Sequence, residues 1–154
     1  MGNESNKRKN VSEVSLIYKL KVKASERPTI HSSRDAFDLF LQHWNMGTIE
    51  MVEEFKVMML NRSNKVLTIY DVSRGGITST VADPRIIYAV ALKTLAVNMI
   101  ICHNHPSGNL QPSRADEELI SKIASAGKYF DIKVIDALII SSETYYSFSD
   151  EGII

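Results

Sequence analysis

Apolar and polar residues first alternate between residues 15 and 23, where Leu16, Tyr18, Leu20 and Val22 interleave with Ile17, Lys19, Lys21 and Lys23. A period of two predicts a strand with one solvated face, ended by Pro28. The period then lengthens. Ala36, Phe37, Phe40, Leu41 and Trp44 recur at helical spacing, which predicts a helix with Ser33 as its N-cap, stopped by Gly47. Phe55–Leu60 and Val66–Val72 are rich in strand formers and flank Asn61-Arg62-Ser63-Asn64, so they read as an antiparallel hairpin. Gly75-Gly76 reads as a turn or bulge leading into residues 77–81; it has neither the lysine nor the spacing of a phosphate-binding loop.

In the second half, Asp83-Pro84 is a cap followed by proline at the first helical position, and the helix is expected to run to about Val97. Its apolar residues Ile86, Ile87, Ala89, Val90, Leu92, Leu95 and Ala96 cover much of the circumference, which predicts burial on more than one side. Asn98–Cys102 is apolar on both faces, as a central strand covered by helices would be. A loop over 104–112 precedes a third helix from Ser113 to about Lys128, with Ala115, Leu119, Ile120, Ile123 and Ala124 on its inner face. Ile132–Ile140 and Thr144–Ser149 read as two more strands. The fold class expected is α/β, a single mixed β-sheet flanked by helices. Residues 1–12 are too polar to repay the entropy of ordering and are expected to be a disordered tail. Residues 13–30 form an N-terminal strand or extension, and 31–154 the domain itself.

Composition adds limits. A chain of 154 residues with 44% hydrophobic and 23% charged residues suits one domain with a real core. Its 18 Lys+Arg balance 18 Asp+Glu, so no whole-molecule basic field points to nucleic acid. Residues 1–30 hold seven basic and three acidic residues, a local net charge of +4, more often a solvated segment than an anionic contact. The single cysteine, Cys102, excludes an intramolecular disulfide and a Cys-only zinc site, so a reducing, cytoplasmic setting is expected. No leader-like apolar stretch and no run of 18 uncharged apolar residues is present, so neither export nor membrane spanning is expected.

The chemistry gathers where the central strand ends. His103 and His105 are two apart on an extended segment, so their rings point the same way and can share one ion. Zinc takes imidazole nitrogen and carboxylate oxygen, and a catalytic site keeps three protein ligands and one open position. Asp116, on the first turn of the third helix, is a candidate third ligand, since Pro106 and Gly108 let the loop fold back. The Ser113-Arg114-Ala115-Asp116 spacing is also that of a capping box, so Asp116 reads equally as a helix cap.

The string His103-Asn104-His105-Pro106-Ser107-Gly108, followed by Ser113 and Asp116, resembles the JAMM motif of the JAB/MPN metalloprotease fold. More narrowly it is similar to the signature of the bacterial RadC family. Glu53-x-Phe55-x-Val57-x-x-Leu60-Asn61, Val81-x-x-Pro84-Arg85 and Tyr146-x-Phe148-x-x-x-Gly152 extend the likeness over about residues 30–154. The resemblance implies a JAB/MPN architecture, related to that of cytidine deaminases, with one Zn2+ per chain held by His103, His105 and Asp116. It implies a glutamate on an earlier strand as general base and the Ser113 hydroxyl directed at the developing oxyanion. Glu53 is the expected base when Phe55, Val57 and Leu60 are matched to the family's apolar strand; Glu54 competes, because neighbouring strand residues face opposite ways. The implied reaction is hydrolysis of a peptide or isopeptide bond in a peptide or protein substrate, without a covalent intermediate. RadC proteins usually carry a helix–hairpin–helix region ahead of this domain; with only about thirty residues before the likeness begins, this chain is expected to lack it.

Competing readings are weaker in the residues. Cys102 alternates to the face opposite His103 and reads as a core residue, not a nucleophile. His31 and His43 lack neighbours at ligand spacing. The His-x-Glu and Pro-Cys-x-x-Cys pair of zinc deaminases is absent. The family's DNA-repair label makes a DNA-transaction protein the second reading, and a binding module with structural zinc the third. Two histidines and a carboxylate also suit iron(II); Ser113 and Glu53 favour zinc.

Overall fold

Residues 10–75 and 82–154 are described by a computed structural model of the chain. Strands β1 (Glu54–Leu60), β2 (Val66–Arg74), β3 (Asn98–Asn104), β4 (Lys133–Ile140) and β5 (Tyr145–Ser147) form one sheet in the order β2-β1-β3-β4-β5. Only the β3–β4 pair is parallel, and helix α3 (Arg114–Gly127) makes the crossover between them. The β1–β2 hairpin closes through Asn61, whose Oδ1 accepts from the Ser63 and Lys65 amides at 3.0 Å each, and Asn64 takes the left-handed conformation there. The fold is therefore α/β with a mixed sheet, as the alternation of periods predicts.

β3 is central and buried on both faces. Met99 and Ile101 lie with Val57, Met59, Ala137 and Ile139 under helix α2 (Pro84–Thr94) and α3, which contribute Ile87, Ala91, Ile120 and Ile123. Ile100 and Cys102 face the other way with Met58, Leu60, Leu138 and Ile140, beneath Phe37, Phe40 and Trp44 of helix α1 (Ser33–Gln42) and its following turn. This three-layer arrangement places the C-terminal end of β3 against the N-terminus of α3.

Several expectations are corrected. Residues 15–23 form no strand: Leu16, Ile17, Leu20 and Val22 are exposed, and the Tyr18 hydroxyl ties the segment to the Leu67 carbonyl at 2.8 Å. Alternation marks a face that could be buried, yet both sheet faces are already covered by helices. Backbone pairing begins only near Thr29, which bridges to Lys65. The N-cap of α1 is Ser32, not Ser33, because Asp35 stands three residues ahead of Ser32 and closes a reciprocal capping box with it. Ser33 instead donates to Asp150 Oδ2 at 2.6 Å. α2 stops at Thr94, with Leu95 left-handed at φ 56°, and buries one side only: Ile86, Leu92 and Leu95 are exposed. Ala115 is exposed rather than on the inner face of α3. The segment 76–81, and the expected tail as far as residue 9, lie outside the described residues.

Candidate metal centre

His103 is the penultimate residue of β3, and His105 lies one step beyond its end. The His105 amide still donates to the Ile140 carbonyl at 3.1 Å, which prolongs the β4 alignment and keeps both rings on one side. The chain then reverses through Gly108, at φ 80°, whose amide donates to the His105 carbonyl at 2.9 Å. His105 Nδ1 lies 2.6 Å from the Asn109 carbonyl. That acceptor takes the proton on Nδ1, so the Nε2 lone pair of the neutral ring faces inward, and a second proton on Nε2 is donated to Asp116. The His103 ring stacks on Phe55, with centroids 5.7 Å apart, and its buried Nδ1 has no partner among the described residues. Its polar contacts are therefore made through Nε2.

Asp116 arrives from the first turn of α3. Its Oδ1 is 3.2 Å from His103 Nε2, its Oδ2 is 3.3 Å from His105 Nε2, and the two Nε2 atoms are 3.1 Å apart. Burial alone would push the Asp116 carboxyl up, but hydrogen bonds from both rings and from the Ser113 amide hold it well below the usual carboxylate range. The same contact with Asp116 chiefly raises His105, against the opposing effect of its burial. Glu53, immediately before β1, completes the group: one ligand atom from each of Glu53, His103, His105 and Asp116 lies within 4.8 Å of the others.

The donor set fits a divalent cation. Ligand atoms about 2.0–2.1 Å from a tetrahedral ion stand about 3.3–3.4 Å apart. The separation of the two Nε2 atoms, 3.1 Å, is close to that edge, and each ring stands at a similar distance, 3.2 or 3.3 Å, from one of the two oxygens of Asp116. Two imidazole lone pairs directed at one point repel unless a proton or a cation lies between them.

The other candidates separate cleanly. Ser113 is the N-cap of α3, and its Oγ accepts from the Asp116 amide at 3.1 Å, a bond that leaves its own proton for another acceptor. Glu54 is absent from the four-residue group; its amide donates to Asn104 Oδ1 at 2.7 Å. Cys102 is fully buried on the α1 side of the sheet, its thiol raised by burial and so unreactive. His31 is exposed, and His43 Nδ1 lies 2.9 Å from the Leu39 carbonyl, within the last turn of α1. Asn104 has no role in the sequence reading, although its carboxamide bonds to two carbonyls of the segment before β1 and to the amide of Glu54 at the start of β1. The signal was its type: a carboxamide at the end of a buried apolar strand needs partners.

Comparison with known proteins agrees in extent with this domain. Residues 30–153 match the family described as the RadC-like JAB domain. The chain is 46% identical over 124 residues to a UPF0758 protein of Flavobacterium johnsoniae, covering 80% of this chain and 53% of that protein. A UPF0758 protein of Clostridioides difficile is 33% identical over 133 residues, 85% of this chain and 56% of its own length. One from Porphyromonas gingivalis is 40% identical over 103 residues, 66% of this chain and 45% of its own. The chain thus spans about half the length of the curated relatives it matches. Among the described residues no helix is long and apolar enough to cross a membrane. With a mixed five-stranded sheet and three α-helices among the described residues, and a His-His-Asp-Glu group at the end of its central strand, the chain belongs to the RadC-like JAB domain family.

Proposed function

We propose that this chain is a zinc-dependent hydrolase of the JAMM type, cleaving a peptide or isopeptide bond in a peptide or protein substrate. The observation that carries the reading is the convergence of Glu53, His103, His105 and Asp116 within 4.8 Å. His103, His105 and Asp116 would hold the ion, because two imidazole nitrogens and a carboxylate are a set zinc accepts. Zinc bound there supplies Lewis acidity, polarising a carbonyl and making water acidic enough to be deprotonated near neutral pH. Glu53 takes the proton from the attacking water and returns it to the departing amine, so one carboxylate acts as base and then as acid. The Ser113 hydroxyl, already accepting from the Asp116 amide, keeps its proton for the oxygen that gains charge as the carbonyl is attacked. A cytoplasmic setting agrees with a lone, buried cysteine.

The test begins with metal content by mass spectrometry on protein purified without added metal. About one zinc per chain is expected from the donor set, lost in His103→Ala and in Asp116→Ala. Glu53→Gln should then keep its zinc and lose about 10²–10⁴-fold in amide hydrolysis. A zinc-loaded chain inert toward every amide, yet showing salt-dependent DNA binding that is lost when Lys7, Arg8, Lys9, Lys19, Lys21 and Lys23 are neutralised, would replace the hydrolase with a DNA-transaction protein.

A further inference from the structure

Asn104 stands between the two histidines in sequence, but alternation turns its side chain to the α1 face of the sheet, where it is fully buried. Its Nδ2 donates to the Ile49 carbonyl at 2.7 Å and to the Val52 carbonyl at 2.9 Å, and its Oδ1 accepts from the Glu54 amide at 2.7 Å. The Val52 carbonyl belongs to the peptide before Glu53, and the Glu54 amide to the peptide after it. One side chain therefore holds both peptide planes whose rotations set the backbone of Glu53. From the other side, the Gly75 amide donates to the Glu53 carbonyl at 2.8 Å. The β1–β3 ladder ends at the Phe55–His103 pair, so the carboxamide takes over the alignment where backbone pairing stops.

We propose that Asn104 is a positioning residue that fixes Glu53 opposite His103 and His105. It does so from the same strand that presents the two rings, so base and ligands share one rigid reference. This rests on the reading of Glu53 as the general base. Only a carboxamide of this length offers two donors and an acceptor at one point: aspartate has acceptors alone, and alanine has neither.

The full chain is used for the test, metal-free and with Co2+ as the probe ion. In Asn104→Ala, exchange of the Glu54 amide hydrogen is expected to speed up about tenfold or more, while that of Met58, deep in β1, changes less than about twofold. Co2+ affinity and the visible spectrum of the bound ion should be unchanged, since Asn104 touches none of His103, His105 or Asp116. On an amide substrate kcat should fall with KM unchanged, and the same substitution should add no further loss in a Glu53→Gln chain. Equal Glu54 exchange in parent and variant would overturn the proposal, as would loss of Co2+ binding or an additive loss on the Glu53→Gln background. Should Asn104→Ala fail to fold, Asn104→Ser, with room for a bridging water, carries the same comparison. A parent chain inert on every amide overturns the hydrolase reading instead, and the exchange rates still decide whether Asn104 fixes the Glu53 backbone.

Discussion

Ser113 and Asp116 form a reciprocal pair at the start of α3: the Asp116 amide donates to Ser113 Oγ at 3.1 Å, and the Ser113 amide donates to Asp116 Oδ2 at 2.7 Å. The same carboxylate stands 3.2 Å from His103 and 3.3 Å from His105. Helix cap and candidate ligand are thus one group, and the cap aims the carboxylate at the rings. The two roles can be separated. Asp116→Asn keeps an oxygen for the Ser113 amide but no charge, whereas Asp116→Ala loses both. Metal is expected to be lost in both variants, while urea denaturation of the metal-free proteins should show the alanine variant less stable than the asparagine one by about 1 kcal/mol. Full metal retention by Asp116→Asn would leave that residue a cap only.

Asp136, on β4, is a buried carboxyl outside the four-residue group. It accepts from the Ser147 hydroxyl at 2.7 Å, the Ala137 amide at 2.7 Å and the Ser149 amide at 3.0 Å. Burial nonetheless raises its pKa above the ordinary value of 3.8, outweighing those bonds. A folded-state pKa above the unfolded one means that the folded chain holds a proton the unfolded chain has released. Stability from this group is complete below about pH 3.9 and declines as pH rises through the folded value. Asp136→Asn has no such titration. Parallel thermal melts from acid to neutral pH should show the parent losing ground to the variant; a constant difference would remove the effect.

Gly127 closes α3 against the turn into β4. A β-carbon there would strike the Ile132 backbone carbonyl and come within 2.8 Å of the Tyr88 hydroxyl, itself donating to the Ile123 carbonyl at 2.5 Å. The backbone cannot retreat easily, because the Ile132 amide donates to the Gly127 carbonyl at 3.0 Å. Gly127→Ala is therefore expected to destabilise by about 1–3 kcal/mol through overpacking, despite alanine's better helix propensity. A chemical denaturation midpoint at or above that of the parent would show that the close approach is not there.

Much of this was legible because local chemistry and tertiary structure agree. Asn61 and Asn64 are turn formers placed where the hairpin turns, and Asp83-Pro84 starts α2 as written. The failures share a cause. Serines at both 32 and 33 satisfy a cap preference, and only the spacing to Asp35 selects Ser32, a signal present in the sequence and identical in kind to Ser113 with Asp116. The apolar circumference of α2 counts residues but not neighbours, and only one side of that helix has a sheet to meet. Glu53 and Glu54 are separated by alternation as the match of Phe55, Val57 and Leu60 suggests, and it is Glu53 that stands in one group with His103, His105 and Asp116.

Val11, Val14, Leu16, Ile17 and Leu20 are exposed, and residues 18–22 border a groove of about 660 Å3 with Val66–Ile69 on its far side. The Tyr18 hydroxyl bond to Leu67 spans that groove. The pairing of Thr29 with Lys65, and the Val66 amide's bond to the Pro28 carbonyl at 2.9 Å, are made by residues that follow this segment in the chain. Removing residues 1–22 should therefore cost, among the hydrogen bonds of the described residues, the one from Tyr18, roughly 0.5–1.5 kcal/mol, and lower the Tm by no more than about 6 °C. It should also reduce fluorescence of a dye that binds exposed apolar surface. A Tm loss several times larger would mean that the segment packs on the β2 edge as a sixth strand after all, as the alternation of Leu16, Tyr18, Leu20 and Val22 predicts.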